Sequence, residues 1–143
     1  MTMPNHNATV VAESSKVAGK NKVVIPDHKL MFVPLDNEFE AHYVCAAINS
    51  APSVLIVKSY AIETQTSTHV LENVGLPKFD AKNKLHCHLA QLSKDAHTLA
   101  AEAEPDTKRL EEIETEIDKT AAELWNITAT ELGDIQSSLA DLK

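Results

Sequence analysis

Seven histidines and two cysteines are the soft and borderline metal-binding residue types of this chain. The densest cluster is His86-Cys87-His88, and His42 lies three residues before Cys45. Adjacent side chains on a helix point about 100° apart, so this cluster cannot close around one ion. His42 and Cys45 share a helix face, but they fall short of a complete tetrahedral set. We therefore expect no metal site and interpret these residues as polar positions on helices.

Catalytic motifs are absent as well. The three glycines, Gly19, Gly75 and Gly133, are too scattered to form a phosphate-binding loop, and there is neither a Gly-x-Ser-x-Gly nor a Cys-x-x-Cys motif. Pro26-Asp27 resembles the start of a metal-dependent nuclease motif, but no Glu-x-Lys follows, so a Pro-Asp turn is the better interpretation. We predict no catalytic residue in this chain.

A polar segment, residues 63–69, could instead bind a nucleic acid. It contains neither Gly nor Pro and lies between apolar stretches, with Lys58, Tyr60 and Lys78 nearby in the sequence. Ser, Thr and Gln side chains hydrogen-bond phosphates, and Gln or His can also contact base edges. The alternative is a solvated loop whose Ser and Thr residues cap helices. Composition alone favours the loop.

The charge of the chain divides it into two parts. The 143 residues suffice for one ordinary domain, or for a small domain with a helical extension, and carry a net charge of −8. Residues 1–84 have eight basic and eight acidic residues, whereas residues 85–143 have five basic and thirteen acidic residues. A uniform nucleic-acid-binding surface would be basic. The two parts are therefore expected to have different roles.

The compartment is predicted from two features. Two cysteines are too few for a disulfide framework. No apolar run approaches the roughly 20 residues of a membrane span, and residues 1–22 lack the order of a signal peptide. We expect a cytoplasmic protein that does not enter a membrane.

The first part is predicted to be a small mixed α/β subdomain, residues 23–83. Residues 1–22 are interpreted as a flexible tail, or as the end of something that began earlier. Apolar residues 23–25 and 30–33 predict two strands joined by a turn. A helix capped by Asp36 follows, with Tyr43, Val44, Ala47 and Ile48 as its apolar stripe.

Pro52 can open a second helix, although residues 54–57 also fit a strand. Gly75 is expected to end a further turn of helix, and an extended exit follows it.

The second part, residues 84–143, is predicted to be an acidic helical subdomain. Two apolar seams at helical spacing predict a helical hairpin, which breaks at residues 104–106. A short final helix starts at Thr128, where Glu131 completes a capping box. It presents Leu132, Ile135 and Leu139. The residues of the two seams are Leu85, Leu89, Leu92, Ala96 and Leu99, then Leu110, Ile113, Ile117, Ala121 and Leu124. The predicted fold class of the chain is α+β.

Several motifs resemble one family in the same order. The sequence "IPDHKLMFVPLDNEFEAHYVCAAINSAPS…SYAIETQTSTHVLENVGLPKFD" (residues 25–80) resembles the C-terminal target-recognition region, of TaqI type, of adenine-specific DNA methyltransferases from restriction-modification systems. The helices at residues 85–100 and 112–135 resemble those that end such enzymes. The family's S-adenosylmethionine motif, its Asn-Pro-Pro-Tyr motif and the first half of its recognition domain have no counterpart here. Trp125-Asn126 also replaces the family's usual Tyr-Gly.

The resemblance implies a DNA-recognition module that works with a separate catalytic domain or subunit. It implies no cofactor in this chain, since S-adenosylmethionine would belong to that catalytic partner. It also changes the interpretation of the polar segment, which is now expected to contact DNA, chiefly its phosphates. The expected DNA-binding residues are His28, Lys29, Lys58, Tyr60, Thr64, Gln65, Ser67, Thr68, His69 and Lys78.

Two alternatives remain open. The chain could be a helical interaction protein that forms a homodimer through the seams of its C-terminal helices, without a DNA role. It could also be a truncated product that has lost its function.

Overall fold

A two-stranded antiparallel sheet and five helices form a small α+β fold in the computed structural model, which describes residues 7–25, 27, 30–60 and 72–142. The strands are β1 (Ser14–Val17) and β2 (Lys20–Val23). The helices are α1 (Glu38–Asn49), α2 (Ala51–Tyr60), α3 (Lys84–Ala100), α4 (Thr107–Leu124) and α5 (Ala129–Asp141). None of the helices among these residues is both long and apolar enough to cross a membrane.

The hairpin lies earlier in the chain than the sequence predicted. Ser14 pairs with Val23 and Val17 with Lys20, so the turn consists of Ala18 and Gly19. Both turn residues have positive φ, 51° and 76°, as a tight hairpin turn requires. All of the hairpin except Val23 therefore lies in the segment, residues 1–22, that was interpreted as a flexible tail.

The predicted strand at residues 30–33 was wrong. These residues have no regular structure, and β2 ends at Val23. Large apolar side chains favour a strand only where another strand pairs with them and a core covers one face. Neither condition is met here among the described residues, because Leu30, Phe32 and Val33 are all more than 60% exposed. Of the predicted turn, residues 26, 28 and 29 lie outside the description.

Helices α1 and α2 confirm the two helix predictions. The cap of α1 is Asn37 rather than Asp36, and its side chain accepts hydrogen bonds from the N–H groups of Phe39 and Glu40. Residues 54–57 lie inside α2, which excludes the strand alternative. Gly75 has a φ of 60°, the left-handed conformation expected where a helical turn ends, although residues 70 and 71 of that turn lie outside the described part.

The three C-terminal helices also follow the prediction. Asn83, Asp106 and Thr128 cap α3, α4 and α5, and Thr128 and Glu131 form the predicted capping box. The seams of α3 and α4 face each other and α1. The buried core at this junction consists of Tyr43, Ala46, Leu89, Ala90, Ile113, Ile117 and Ala121.

A second, smaller cluster joins α2, α4 and α5 through Ala51, Ala122 and Leu132. Asp118 reinforces this junction from the middle of α4. Its carboxylate accepts a hydrogen bond from the N–H of Ala51 at 2.7 Å and another from Gln136 at 2.9 Å. One side chain thus holds three helices together, at the N-terminus of α2 where a negative charge is favourable.

Candidate nucleic-acid interface

The structure brings the chain before and after residues 61–71 to one place. Val57, in α2, and Val74 form a small buried cluster, against which Ile56 and Trp125 pack. The indole N–H of Trp125 donates to the carbonyl of Gly75 at 3.4 Å. The chain therefore enters residues 61–71 and leaves them beside the same apolar contact. Residues 61–71 themselves lie outside the described part.

The exit from this segment is fixed as well. The Tyr43 hydroxyl donates to the carbonyl of Pro77 at 2.9 Å, and the Tyr43 ring packs against Phe79 and His86. Because Tyr43 is fully buried in α1, it ties residues 77–79 to the main core. Burial raises the pKa of Tyr43 to about 12, so its hydroxyl stays a donor. Lys78 lies between these anchored residues and is exposed.

Three of the predicted DNA-binding residues lie in the described part. Lys58 is half-buried in the last turn of α2, Tyr60 at the end of that helix is 57% exposed, and Lys78 is exposed. They occupy the two flanks of the polar segment. The other predicted residues lie outside the described part: His28, Lys29, Thr64, Gln65, Ser67, Thr68 and His69.

Sequence analysis missed a polar cluster between α1 and α3. His42 and Ser93 are buried, and the His42 Nδ1 lies 3.0 Å from the Ser93 Oγ. The ring of His97 meets the ring of His42 edge to face, with centroids 5.0 Å apart. Glu38 and Lys94 form an ion pair at 2.7 Å beside it, and Lys94 holds the pKa of Glu38 below its usual value.

This cluster binds the N-terminal segment of the described chain. The Nδ1 of His97 lies 2.7 Å from the carbonyl of Ser93, which can only accept, so this nitrogen carries the proton. The Nε2 is then free to accept from the N–H of Val10 at 3.1 Å, and it also contacts the Thr9 hydroxyl. His97 therefore binds residues 9 and 10 in its neutral form.

Asn49 and Cys45 complete this anchor from α1. The Asn49 side chain exchanges two hydrogen bonds with the backbone of Ala8, at 2.7 and 2.8 Å, and the Cys45 thiol donates to the Ala8 carbonyl. Burial raises the pKa of Cys45, which keeps it a thiol. Local periodicity could not have revealed this contact, because Ala8 and Asn49 are 41 residues apart in the sequence.

The metal candidates of the sequence point in different directions. His86 accepts from the Asp80 N–H, Cys87 donates to the Ala81 carbonyl, and His88 lies 3.7 Å from Glu116. Across the described ranges, no group of three His, Cys, Asp or Glu residues is arranged to hold a metal ion. The side chains of His86, Cys87 and His88 therefore each have a different partner and do not converge on one point.

The chain was compared with known protein families, curated proteins and solved structures. No family model, no curated protein and no solved structure matches the chain. The site is therefore interpreted from its own residues and from the motifs of the sequence.

Proposed function

We propose that this chain is a DNA sequence-recognition module of a restriction-modification N6-adenine DNA methyltransferase whose catalytic domain is supplied separately. The observation that carries the proposal is the anchored base of the polar segment. Val57 and Val74, on the two sides of residues 61–71 in the sequence, pack together, and hydrogen bonds hold Gly75 and Pro77. A recognition segment needs such a base, because contacts to DNA require side chains held in register on a rigid scaffold.

The flanking residues support contact with phosphates. Lys58, Tyr60 and Lys78 combine two cations with one hydroxyl-bearing ring, and each can bond a phosphate oxygen. In this proposal the Ser, Thr, Gln and His side chains of residues 63–69 complete the interface. Because backbone contacts form the majority in protein–DNA interfaces, most of these side chains bind phosphate rather than base edges.

A second feature supports dependence on a partner protein. Between Val23 and Leu35, eight large apolar side chains are 37 to 83% exposed. A series of exposed large apolar side chains of this kind favours a protein interface. We propose that the methyltransferase chain covers it. These residues are Val23, Val24, Ile25, Leu30, Met31, Phe32, Val33 and Leu35.

The acidic charge fits the same proposal. A chain of net charge −8 cannot bind duplex DNA tightly by itself, since phosphate binding needs a positive surface. The catalytic partner would supply that surface and S-adenosylmethionine, while the acidic side chains of α4 and α5 face away from DNA. Such a complex acts in the cytoplasm, which agrees with the small number of cysteines.

A binding titration at low ionic strength tests the proposal. The chain is mixed with any adenine-specific methyltransferase chain encoded beside it and titrated with a library of randomised duplexes. We expect sequence-dependent binding by the mixture, weakened by S67A/T68A/H69A. The matched control, S138A/T115A/H88A, removes the same residue types from exposed positions on α3, α4 and α5.

Two results would contradict the proposal. Binding by the mixture that is unaffected by S67A/T68A/H69A would remove the polar segment from the interface. A mixture that shows no preference among the duplexes would remove the recognition role altogether. A stable homodimer in the absence of DNA binding would favour the helical interaction protein instead.

The apolar seams of the C-terminal helices pack within the monomer. Leu89, Ile113 and Ile117 are at most 7% exposed, because they pack against each other and α1. A charged residue at Ile117 would therefore unfold the monomer as well as disrupt any dimer. The homodimer remains a prediction, and its test needs substitutions on exposed faces of α3 and α4.

A further inference from the structure

The hairpin β1–β2 stands clear of the helices. Every residue of both strands is exposed, and the strands contact each other but none of the described helices. A two-stranded hairpin is marginally stable on its own. Both of its faces are therefore free for a ligand, and binding would stabilise it.

The charge of the hairpin is opposite to that of the chain. Lys16, Lys20 and Lys22 lie in its strands, and no acidic residue occurs between Ser14 and Val23. Among the described residues, none of these three lysines forms an ion pair. The hairpin is thus an exposed cationic element on a protein whose net charge is −8.

The strand register sorts the lysines onto two faces. Ser15 lies opposite Lys22 and Val17 opposite Lys20, so these four side chains share one face. Lys16 and Asn21 form a pair on the other face. Lys20 and Lys22 are two residues apart on one strand, which separates them by about 7 Å. Two cations and a hydroxyl therefore project from the same side.

We infer that this hairpin is a phosphate-binding wing, which contacts duplex DNA through the face that carries Lys20 and Lys22. The inference rests on the proposed function and assigns to DNA binding a segment that the sequence motifs did not include. A two-stranded ribbon fits the major groove, which is about 12 Å wide. Lys and Ser are common donors to the phosphates that line it.

The composition of the hairpin favours nucleic acid over an acidic protein. Lys is depleted from protein–protein interfaces, whose centres are rich in aromatic residues, and neither strand contains an aromatic residue. Neutralisation of phosphates, by contrast, is the usual role of clustered Lys side chains.

The base of the hairpin is tied to the helices. The N–H of Val24 donates to the carbonyl of Glu13 at 2.9 Å and closes the ribbon. Three residues before Glu13, Val10 is held by His97. The wing is therefore carried on a short tether from a fixed point between α1 and α3.

NMR spectroscopy of the full chain tests the inference without the partner, because it detects even weak contacts residue by residue. The ¹⁵N-labelled chain is titrated at low ionic strength with a random-sequence duplex. We expect the amide signals of Ser15, Lys20 and Lys22 to shift and to return when salt is added, since phosphate contacts are salt-dependent. K20Q/K22Q should abolish the shifts, and K16Q should reduce them less.

The matched control is K108Q/K119Q, which removes the same charge from exposed positions on α4. It should leave the hairpin shifts intact. If both double variants reduce the shifts equally, the shifts depend only on the net charge of the chain. The inference that the hairpin is a phosphate-binding wing is then wrong.

The remaining outcomes separate this inference from the proposed function. Shifts confined to Tyr60, Lys78 and their neighbours would overturn the wing and leave the recognition module standing. No hairpin shift at all would also overturn the wing, while binding by the mixture with the methyltransferase chain would still decide the proposed function. A titration with poly-glutamate in place of DNA tests the choice of ligand. If it shifts the hairpin signals equally, the partner is an acidic protein and not a nucleic acid.

Discussion

The helices and the N-terminal arm, the described residues between 7 and 35, are built in opposite ways. In the helical body, α1 to α5, apolar side chains such as Tyr43, Leu89 and Ala121 are completely buried. In the arm, Ile25 is 83% and Phe32 64% exposed. The helices thus bury one another's apolar side chains, whereas the arm exposes apolar and cationic side chains. This contrast underlies the proposal that a partner protein covers the exposed apolar side chains of the arm.

Truncation of a buried side chain in the helical body is expected to lower the free energy of unfolding more than any change in the arm. L89A should lower the free energy of unfolding by about 2–5 kcal/mol, because it leaves a cavity at the junction of α1, α3 and α4. Urea denaturation followed by circular dichroism would measure it. A loss of less than about 1 kcal/mol would mean that this junction is not the main core of the protein.

A smaller effect is expected at the junction of α2, α4 and α5. D118A removes the acceptor for Ala51 and Gln136 and should lower the free energy of unfolding by about 1.5 kcal/mol, since the bonds involve a charged group. D134A on α5 is the control, because its carboxylate is exposed and makes no hydrogen bond in the described part. Equal unfolding midpoints for the two variants would show that Asp118 does not hold the helices together.

The anchor of the arm should make stability depend on pH. Burial, and then the neighbouring His97, lower the pKa of His42 below its ordinary value of 6.5, despite the opposing effect of Glu38. The unfolded chain therefore binds the proton first as the pH falls. The contribution of His42 is fully present above about pH 6.5 and is lost as the pH falls through this value toward the lower pKa of the folded state.

Urea unfolding at a series of pH values would measure this dependence. H42N should flatten it between neutral and mildly acidic pH, whereas H88N, at an exposed position on α3, should not. If the wild-type chain and H42N show the same pH dependence, His42 is not the residue responsible.

The smallest effect on stability is expected in the arm. F32A should change the free energy of unfolding by no more than about 0.5 kcal/mol, because its ring is exposed and buries little surface. If the proposed function holds, the same substitution should weaken association with the proposed methyltransferase partner, as measured by isothermal titration calorimetry. V11A, another exposed apolar position outside the apolar stretch, is the control for that association. A large loss of stability in F32A would mean that the arm packs as the body does.

The sequence predicted the body well and the arm poorly, for a physical reason. The start of α5 could be predicted because the capping box at Thr128 is a local signal. The seams of α3 and α4 could be predicted because they repeat at the spacing of one helix face. The hairpin gives neither kind of signal. Its strands, Ser-Ser-Lys-Val and Lys-Asn-Lys-Val, bury no face, so they show no apolar alternation. Its turn places Ala18 at a positive φ that Ala seldom adopts.

The candidate site, too, could be predicted only where its residues depend on local sequence. That Lys58 and Tyr60 lie on a helix could be predicted from residues 51–60, but the meeting of Val57 with Val74 depends on tertiary packing. The contact of His97 with Val10 joins positions whose spacing carries no periodicity. Contacts of this kind arise from the fold as a whole and leave no local pattern in the chain.

The single tryptophan of the sequence gives the polar segment an optical reporter. Trp125 packs on the Val57–Val74 cluster and bonds to Gly75, at the point where the chain enters and leaves residues 61–71. Its emission wavelength and quenching depend on how closely these neighbours surround the indole ring. Because no second indole contributes to the spectrum, events at this base can be followed in solution, in real time and without any added label.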